Sequence, residues 1–325
     1  MNFNISWFTQ ERIVFSIALV LFLVFSLSLS GFFSVDNLIV LMRNVSVLGI
    51  LGIGMAIVVI GRGIDLSMIA VMAVSSAWTL QLMQNGYGLG SALALGLMCA
   101  LAIGVANGLL IAFVEIPALF ATLATGIFLY GLGKSTMLDL DVIYLPENTG
   151  WFEEIGKGSI GPFPMPVILF CITMVVAWFV LSRTRFGRFI YGTGDNPLAA
   201  RITGIPIRII ITGQYAMASF IGFFAGIIIA TSVSAVNTRI FHSTMIYDVI
   251  LVVVLGGIGL SGGKGSVRNV VVGTLLIGIL LNGMTIMDIQ FTYQNFIKSL
   301  ILLGAIILDS VLHPRNEETA QQGDI

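Results

Sequence analysis

Ten stretches of this sequence are apolar over roughly the length that a helix needs to cross a lipid bilayer. A hydrocarbon core about 30 Å thick requires about 20 apolar residues per crossing helix. The stretches are residues 13–33, 38–61, 66–84, 89–114, 117–138, 164–182, 209–235, 246–261, 267–286 and 294–312. The stretch at 246–261 is short and interrupted by glycine, so we expect eight to ten crossings, with ten as the central value. The chain is therefore predicted to be an all-α polytopic integral membrane protein.

The composition agrees with a chain that lies almost entirely in the membrane. Hydrophobic residues make up 57% of the sequence and charged residues 10%, whereas soluble domains average about 25% charged residues. We therefore expect one transmembrane domain over residues 1–325, without a separate soluble domain. Cys99 and Cys171 lie in apolar stretches, where a thiol behaves as a small hydrophobe, so no disulfide, metal site or cofactor is predicted. The net charge of −1 indicates no nucleic-acid partner.

The basic residues predict the orientation, because cytoplasmic loops carry an excess of Lys and Arg. Ten crossings with both termini in the cytoplasm place ten of the 15 basic residues, Arg315 among them, on the cytoplasmic side. The basic loop at about 183–208 is then cytoplasmic. The acidic loop at about 139–163 lies on the opposite side.

Two parts of the sequence repeat one another imperfectly. Residues 58–67 (VVIGRGIDLS) resemble residues 252–261 (VVVLGGIGLS), and the ANGLL around Asn107 resembles the LNGMT around Asn282. Duplicated, glycine-interrupted segments are typical of permeation paths in transport folds. We expect helix caps or breaks within or just before these segments, at Gly63, Asp65, Ser67, Asp248, Gly256 and Gly257.

Asp65 has two interpretations. It caps a helix that starts at Leu66 by accepting hydrogen bonds from the N–H of Ser67 or Met68, or Arg62 neutralises it. Asp248 allows the same alternatives, with more weight on a functional role. Whether either carboxylate touches a substrate stays open.

The LSGG at residues 260–263 suggests a nucleotide site at first sight. Phosphate binding by a glycine-rich loop needs a Lys followed by Ser or Thr at a helix N-terminus, and here Lys264 is followed by Gly265. The sequence also lacks the alternation of short strands and amphipathic helices that a soluble ATPase requires. We therefore predict that this chain binds no ATP.

Four motifs in order resemble one known family. GIDLS, ANGLLIAFVEIPALFATLATG, GTGDNPLAARITGI and VVLGGIGLSGGKGS, the last followed by GTLLIGILLNG, are similar to the ribose-type permease subunits of bacterial ABC sugar importers. The sequence departs from the usual pattern at Arg62, where glycine is commoner. The resemblance implies a multi-pass protein of the bacterial inner membrane that moves a sugar, with a monosaccharide expected, from periplasm to cytoplasm. It also implies three protein partners, which are a separate ABC ATPase subunit, a periplasmic sugar-binding protein and a second permease subunit in a homo- or heterodimer. Membrane lipid is the fourth expected partner of this chain.

Two other classes fit less well. The alternative is an ion-coupled secondary transporter of a small neutral solute, which needs carboxylates in mid-membrane that the stretches mostly lack. An intramembrane enzyme needs a catalytic set within the stretches, and the histidines, His242 and His313, lie at stretch ends. We predict a transport subunit without enzyme activity.

The loop at 183–208 contains a predicted helix. Asp195 and Asn196 form an N-cap pair before Pro197, and Gly204 ends the helix. By resemblance this is the coupling helix that docks on the ATPase, whereas the alternative is an ordinary basic loop. The expected contact residues are Gly194, Asp195, Asn196, Ala199, Ala200, Arg201 and Gly204.

A neutral sugar needs hydroxyl and amide partners beside apolar walls. Candidates for the permeation path are Ser75, Asn107, Pro117, Phe120, Thr122 and Asn282. Phe120 with Leu123 could form a gate, one turn apart after Pro117 opens the helix. The alternative for the polar residues is hydrogen bonding between helices, which is common in membranes.

Overall fold

The computed structural model describes residues 10–147 and 149–312, which are predominantly helical. His313 and Arg315 lie outside the described residues. The helices are α1 (Gln10–Ser28), α2 (Val35–Ile60), α3 (Met68–Gln84), α4 (Leu89–Ala112), α5 (Ala118–Leu132), α6 (Glu154–Lys157), α7 (Met165–Arg183), α8 (Arg185–Asp195), α9 (Pro197–Ile202), α10 (Ile207–Val233), α11 (Met245–Leu255), α12 (Val267–Ile286) and α13 (Phe291–Leu312). A π-helical turn, Gly133–Met137, extends α5.

Each of the ten predicted stretches coincides with a helix. Within the described part of the chain, seven helices are long and apolar enough to cross a membrane: α1, α2, α4, α5 with its π turn, α7, α10 and α12. The prediction of an all-α polytopic membrane protein is confirmed. Helix α11 has 11 residues and therefore extends about 16 Å at 1.5 Å per residue. It cannot cross a core of about 30 Å alone, because it ends at the glycine interruption that follows Leu255.

Helices α2 and α10 form the centre of the bundle, where α10 packs on α2, α3 and α4. The second half of α2 is apolar on all sides, and its residues from Leu48 to Ile60 are buried without exception. Helices α1, α4, α5 and α7 instead expose apolar side chains, among them Leu27, Met98, Phe128 and Val175. Such faces suit contact with lipid and would not suit water.

Two glycines of α4 let it approach α10 closely. A Cβ on Gly104 would lie 2.7 Å from the backbone oxygen of Tyr215, and one on Gly108 would collide with Thr212. Neither position can carry a larger side chain without moving a helix. The spacing of these glycines therefore marks helix packing, as in other membrane bundles.

Among the residues that the structure describes, two small antiparallel sheets lie in the connections between helices. Strand β1 (Val142–Tyr144) pairs with β4 (Ala235–Asn237), and β2 (Ser159–Ile160) pairs with β3 (Phe163–Pro164). Beside β1, the carboxylate of Asp141 lies 2.5 Å from Lys134 Nζ and 2.6 Å from Arg239 Nη2. Hydrogen bonds from these two cations lower the pKa of Asp141 below its usual value. The contacts fasten the segment after α5 to the segment after α10.

Candidate translocation and coupling sites

Residues 61–67, between α2 and α3, form a helix break in the protein interior. Asp65 within the break is completely buried. Its Oδ1 accepts hydrogen bonds from the backbone N–H of Ser67 at 2.9 Å and from the Ser67 hydroxyl at 2.5 Å. Helix α3 begins at Met68, two residues later than predicted, so Ser67 occupies the cap position and Asp65 lies two residues before it. It still bonds one of the two N–H groups that the capping interpretation named.

The break is tied to α4 and α5 by polar side chains, which we call the break network (Asp65, Ser67, Asn107, Thr122 and Thr125). Asn107 Nδ2 donates to Ser67 Oγ at 2.8 Å, and Asn107 Oδ1 accepts from Thr125 Oγ1 at 2.5 Å. Thr122 Oγ1 accepts from the N–H of Leu66 at 3.1 Å. The structure thus brings Ser67, Asn107 and Thr122, which the sequence singled out separately, together around Asp65.

Helix α10 presents further polar groups to this region. Asp65 Oδ2, Gln214 Nε2 and Ser219 Oγ are buried, and among the described residues they have no hydrogen-bond partner. Gln214 lies against Gly61, and the hydroxyl of Tyr215 lies against Gly63, where a Cβ would touch it. An unpaired buried polar group costs about 1–3 kcal/mol. These groups therefore have spare hydrogen-bonding capacity of the kind that a hydroxyl-rich solute requires.

The other predicted path residues lie apart from the break network. Asn282 exchanges two amide hydrogen bonds with Asn37, at 3.0 and 2.9 Å, and so links α12 to α2. Ser75 donates to the carbonyl of Val71 within α3. Pro117 precedes the first residue of α5, as predicted, and the side chain of Phe120 is 63% exposed on the bundle surface. The bonds of Asn282 connect two helices, and the bond of Ser75 lies within one helix, so both residues have structural partners.

The predicted helix in the basic loop is present as α9. Asn196 Oδ1 accepts from the N–H of Ala199 at 3.0 Å, and Pro197 is the first helical residue. Gly204 follows with φ +80°. Asp195 is the last residue of α8 instead of part of the cap.

The two alanines of α9 point in different directions. Ala200 is buried at 4% exposure and packs inward, which corrects the expectation that both alanines form an outer surface. Ala199 is exposed, and so are Leu198 at 62% and Ile202 at 86%. The sequence analysis missed Leu198 and Ile202, although their i, i+4 spacing places them on one face.

The corner between α8 and α9 contacts the end of α2 and the glycine-rich loop after α11. We call this contact the junction (Ile60, Arg62, Gly194, Asp195, Ser261 and Gly263). Gly263 donates its N–H to the carbonyl of Ile60 at 2.8 Å, and Arg62 Nε donates to the carbonyl of Ser261 at 2.8 Å. Arg62 Nη2 also donates to the carbonyl of Asp195 at 3.1 Å. Gly194 is buried against Ile60 and Gly263, and a Cβ there would collide with the Ile60 carbonyl.

The glycine-rich loop is thus a structural connector. The Tyr191 hydroxyl of α8 donates to the carbonyl of Gly265 at 2.7 Å, which adds a further link. Arg62 has φ +68°, a conformation that favours glycine, so the backbone shape here accounts for glycine being the commoner residue at this position. Arg62 therefore links the two repeated segments, because it lies in residues 58–67 and its guanidinium bonds Ser261 of residues 252–261.

The break after α11 has its own supports. Gly256 follows the helix, Gly257 has φ +97°, and the Asn269 amide donates to the Gly256 carbonyl at 2.6 Å. Asp248 pairs with Lys298 of α13 at 2.7 Å, and Lys298 also donates to Thr244 Oγ1 at 3.1 Å. Asp248 is thus paired with a lysine that the sequence analysis did not connect to it.

Comparison with known proteins identifies the family. A family profile described as "Branched-chain amino acid transport system / permease component" matches residues 37–307. The chain belongs to this permease family. The match extends from the first turn of α2 into α13. It therefore includes the break network, the junction and both repeated segments, at residues 58–67 and 252–261.

Individual relatives in this permease family align over nearly the whole chain. The ribose import permease protein RbsC of Haemophilus influenzae is 32% identical over 315 residues, covering 96% of each chain. RbsC of Bacillus subtilis is 33% identical over 89% of each chain. The galactose/methyl galactoside import permease protein MglC of Escherichia coli is 29% identical over 95% of this chain and 97% of that protein. The resemblance to ribose-type permeases is thereby confirmed, and no match was found among solved structures.

Proposed function

We propose that this permease is the membrane subunit of an ATP-driven importer that carries a sugar, with a monosaccharide as the expected substrate. The observation that carries the proposal is the alignment of sugar import permeases over about 95% of both chains. This family membership favours an import permease over the ion-coupled alternative. ATP hydrolysis then belongs to a separate ABC ATPase subunit, and a periplasmic sugar-binding protein delivers the substrate.

The ATPase docks on α9. This short helix has Leu198, Ala199 and Ile202 exposed, which form an apolar patch beside the exposed Arg201. A partner that covers this patch removes apolar surface from water, which is the main favourable contribution to most interfaces. The junction behind α9 connects it to the ends of α2 and α11, so a displacement of α9 reaches the helix breaks directly.

The sugar passes beside the break network and α10. Spare hydrogen-bonding groups on Asp65, Gln214 and Ser219 support this placement. Phe120 and Leu123 lie exposed on one face of α5 at 63% and 44%. A gate built from them therefore needs a second permease subunit opposite this face, and the functional unit is a dimer of permease chains.

The protein lies in the bacterial inner membrane with both termini and α9 in the cytoplasm. The excess of arginine around α8 and α9 supports this orientation. On a background without Cys99 and Cys171, a cysteine at Ser159 should react with an impermeant maleimide in intact spheroplasts, and one at Thr203 should not. Labelling at Thr203 alone would reverse the orientation.

Uptake in reconstituted vesicles tests the function. The permease, its ATPase and its binding protein should accumulate radiolabelled ribose or a related monosaccharide only when ATP is available to the ATPase, and vanadate should stop it. Phe120→Ala should leave the folded amount unchanged and raise ATP hydrolysis without uptake. Uptake driven by a proton or sodium gradient without the ATPase would overturn the proposal.

A further inference from the structure

A groove of about 710 Å³ lies between α1, α7 and α12 and opens to the outside of the bundle. Apolar side chains make up most of its lining, including Phe15 of α1, Val175 of α7 and Val271 of α12. Phe15 is 48% exposed and Val175 is 58% exposed, so both surfaces are accessible from outside. In a membrane protein such a groove is open to lipid.

One end of the groove is basic. Arg12, near the start of α1, and Arg268, the second residue of α12, both line it, and Glu11 is the acidic residue in the lining. Trp178 lines the same end, and the guanidinium carbon of Arg183 lies 5.6 Å from its ring centroid. Helix α7 ends at Arg183. Tryptophan and arginine at the end of a membrane helix are typical of the level where lipid headgroups lie.

We propose that this groove is a binding site for one anionic phospholipid. An acyl chain occupies the apolar part, and the phosphate lies between Arg12 and Arg268. The planar guanidinium suits bidentate contact with phosphate oxygens, and basic pockets between membrane helices favour anionic headgroups. A zwitterionic headgroup brings an ammonium of the same sign as the arginines, so an anionic lipid is preferred over it.

Charge distinguishes this occupant from a second protein chain. A protein partner would have to place both an apolar ridge and acidic groups into a groove whose basic end lies at the membrane boundary. A phospholipid has this combination in one molecule, with its charge at that same level. The site is independent of the transported solute and of α9.

Quenching of Trp178 fluorescence by brominated lipid tests the proposal. The protein with Trp7, Trp78 and Trp151 replaced by Phe retains Trp178 as the reporter. In phosphatidylcholine nanodiscs, acyl-brominated phosphatidylglycerol should quench Trp178 at a lower mole fraction than brominated phosphatidylcholine does. We expect a preference of roughly fivefold for each arginine that contacts the phosphate.

Matched variants test which residues cause the preference for the anionic lipid. Arg268→Gln should reduce it by roughly fivefold, whereas Arg201→Gln, on the exposed surface of α9, should leave it unchanged. A second reporter protein, which carries Met98→Trp on the exposed face of α4 together with Trp178→Phe, should show equal quenching by both lipids.

Three results would overturn the proposal. One is equal quenching of Trp178 by the two lipids in the protein that keeps Arg268, a comparison that requires no arginine variant to fold. Another is an equal lipid preference in the Trp178 reporter and in the Met98→Trp reporter, which would indicate general attraction of anionic lipid. The third is protection of Trp178 from both lipids, which would indicate that a second protein chain covers the groove.

Discussion

The two segments that share the pattern Gly-Ile-x-Leu-Ser have different surroundings. At residues 63–67 the variable position is Asp65, which is completely buried and bonds Ser67. At residues 257–261 it is Gly259, in a partly exposed loop that holds α2 and the α8–α9 corner through backbone groups. One carboxylate thus distinguishes a break fixed in the interior from a break that connects segments at the end of the bundle.

The difference shows how one motif can serve two mechanical purposes. The break network is held by side chains of α4 and α5, so replacing a single side chain should loosen it. The junction is held by hydrogen bonds to backbone carbonyls, which come from the Gly263 N–H and from the side chains of Arg62 and Tyr191, and there is almost no room between its backbone segments. Added volume should therefore disrupt the junction more than the loss of a functional group does.

The largest effect is expected from Gly194→Val in the junction. The new Cβ would collide with the Ile60 carbonyl and lie 2.6 Å from the Gly263 nitrogen, and backbone atoms cannot move aside cheaply. We expect a loss of about 3 kcal/mol or more in stability. The measurement is the yield of monodisperse protein and its thermal midpoint in detergent. Gly192→Ala is the control, since its Cβ would meet only the Ile205 side chain at 3.5 Å. Equal yields for both variants would contradict the tight junction.

Asp65→Ala should have the next largest effect. It leaves the Ser67 N–H and hydroxyl without their acceptor in a buried site, at a cost of about 1–3 kcal/mol. Asp65→Asn keeps an oxygen at the same position and should cost less than about 1 kcal/mol. The thermal midpoint and the folded amount measure both. Full assembly of Asp65→Ala together with an altered sugar preference would contradict this structural role and indicate that Asp65 contacts the substrate.

The smallest pair of effects compares the two serines that end the motifs. Ser67→Ala removes the hydroxyl that donates to Asp65 and accepts from Asn107, so we expect a loss of about 1 kcal/mol. Ser261 bonds Arg62 through its backbone carbonyl, which alanine retains, so Ser261→Ala should stay within about 0.5 kcal/mol of the original protein. Equal losses would remove the distinction between the two breaks.

Local features of the structure could be predicted from the sequence. Apolar length alone identified the helices, and Asn196 with Pro197 identified α9, because a cap depends on residues three positions apart. The glycines at 256 and 257 likewise indicated where α11 ends. Each of these depends on neighbours in the chain.

Long-range pairings could not be predicted in the same way. Lys298 lies 50 residues from Asp248, and Asn37 lies 245 residues from Asn282, so no spacing indicated either contact. The inward direction of Ala200 depends on how α9 rests on the bundle. The echo between residues 58–67 and 252–261 was the one signal of a distant contact, and Arg62 does bond Ser261.

The central claim is that α9 is the docking element through which the ATPase drives the permease. The most direct measurement is co-purification of the ATPase with Ala199→Glu, at equal amounts of folded permease. A charge buried without a partner in this contact should reduce retained ATPase by roughly tenfold or more. Ser159→Glu, at an exposed position in the loop between α5 and α7, should retain it fully. Full retention and normal uptake with Ala199→Glu would contradict the claim.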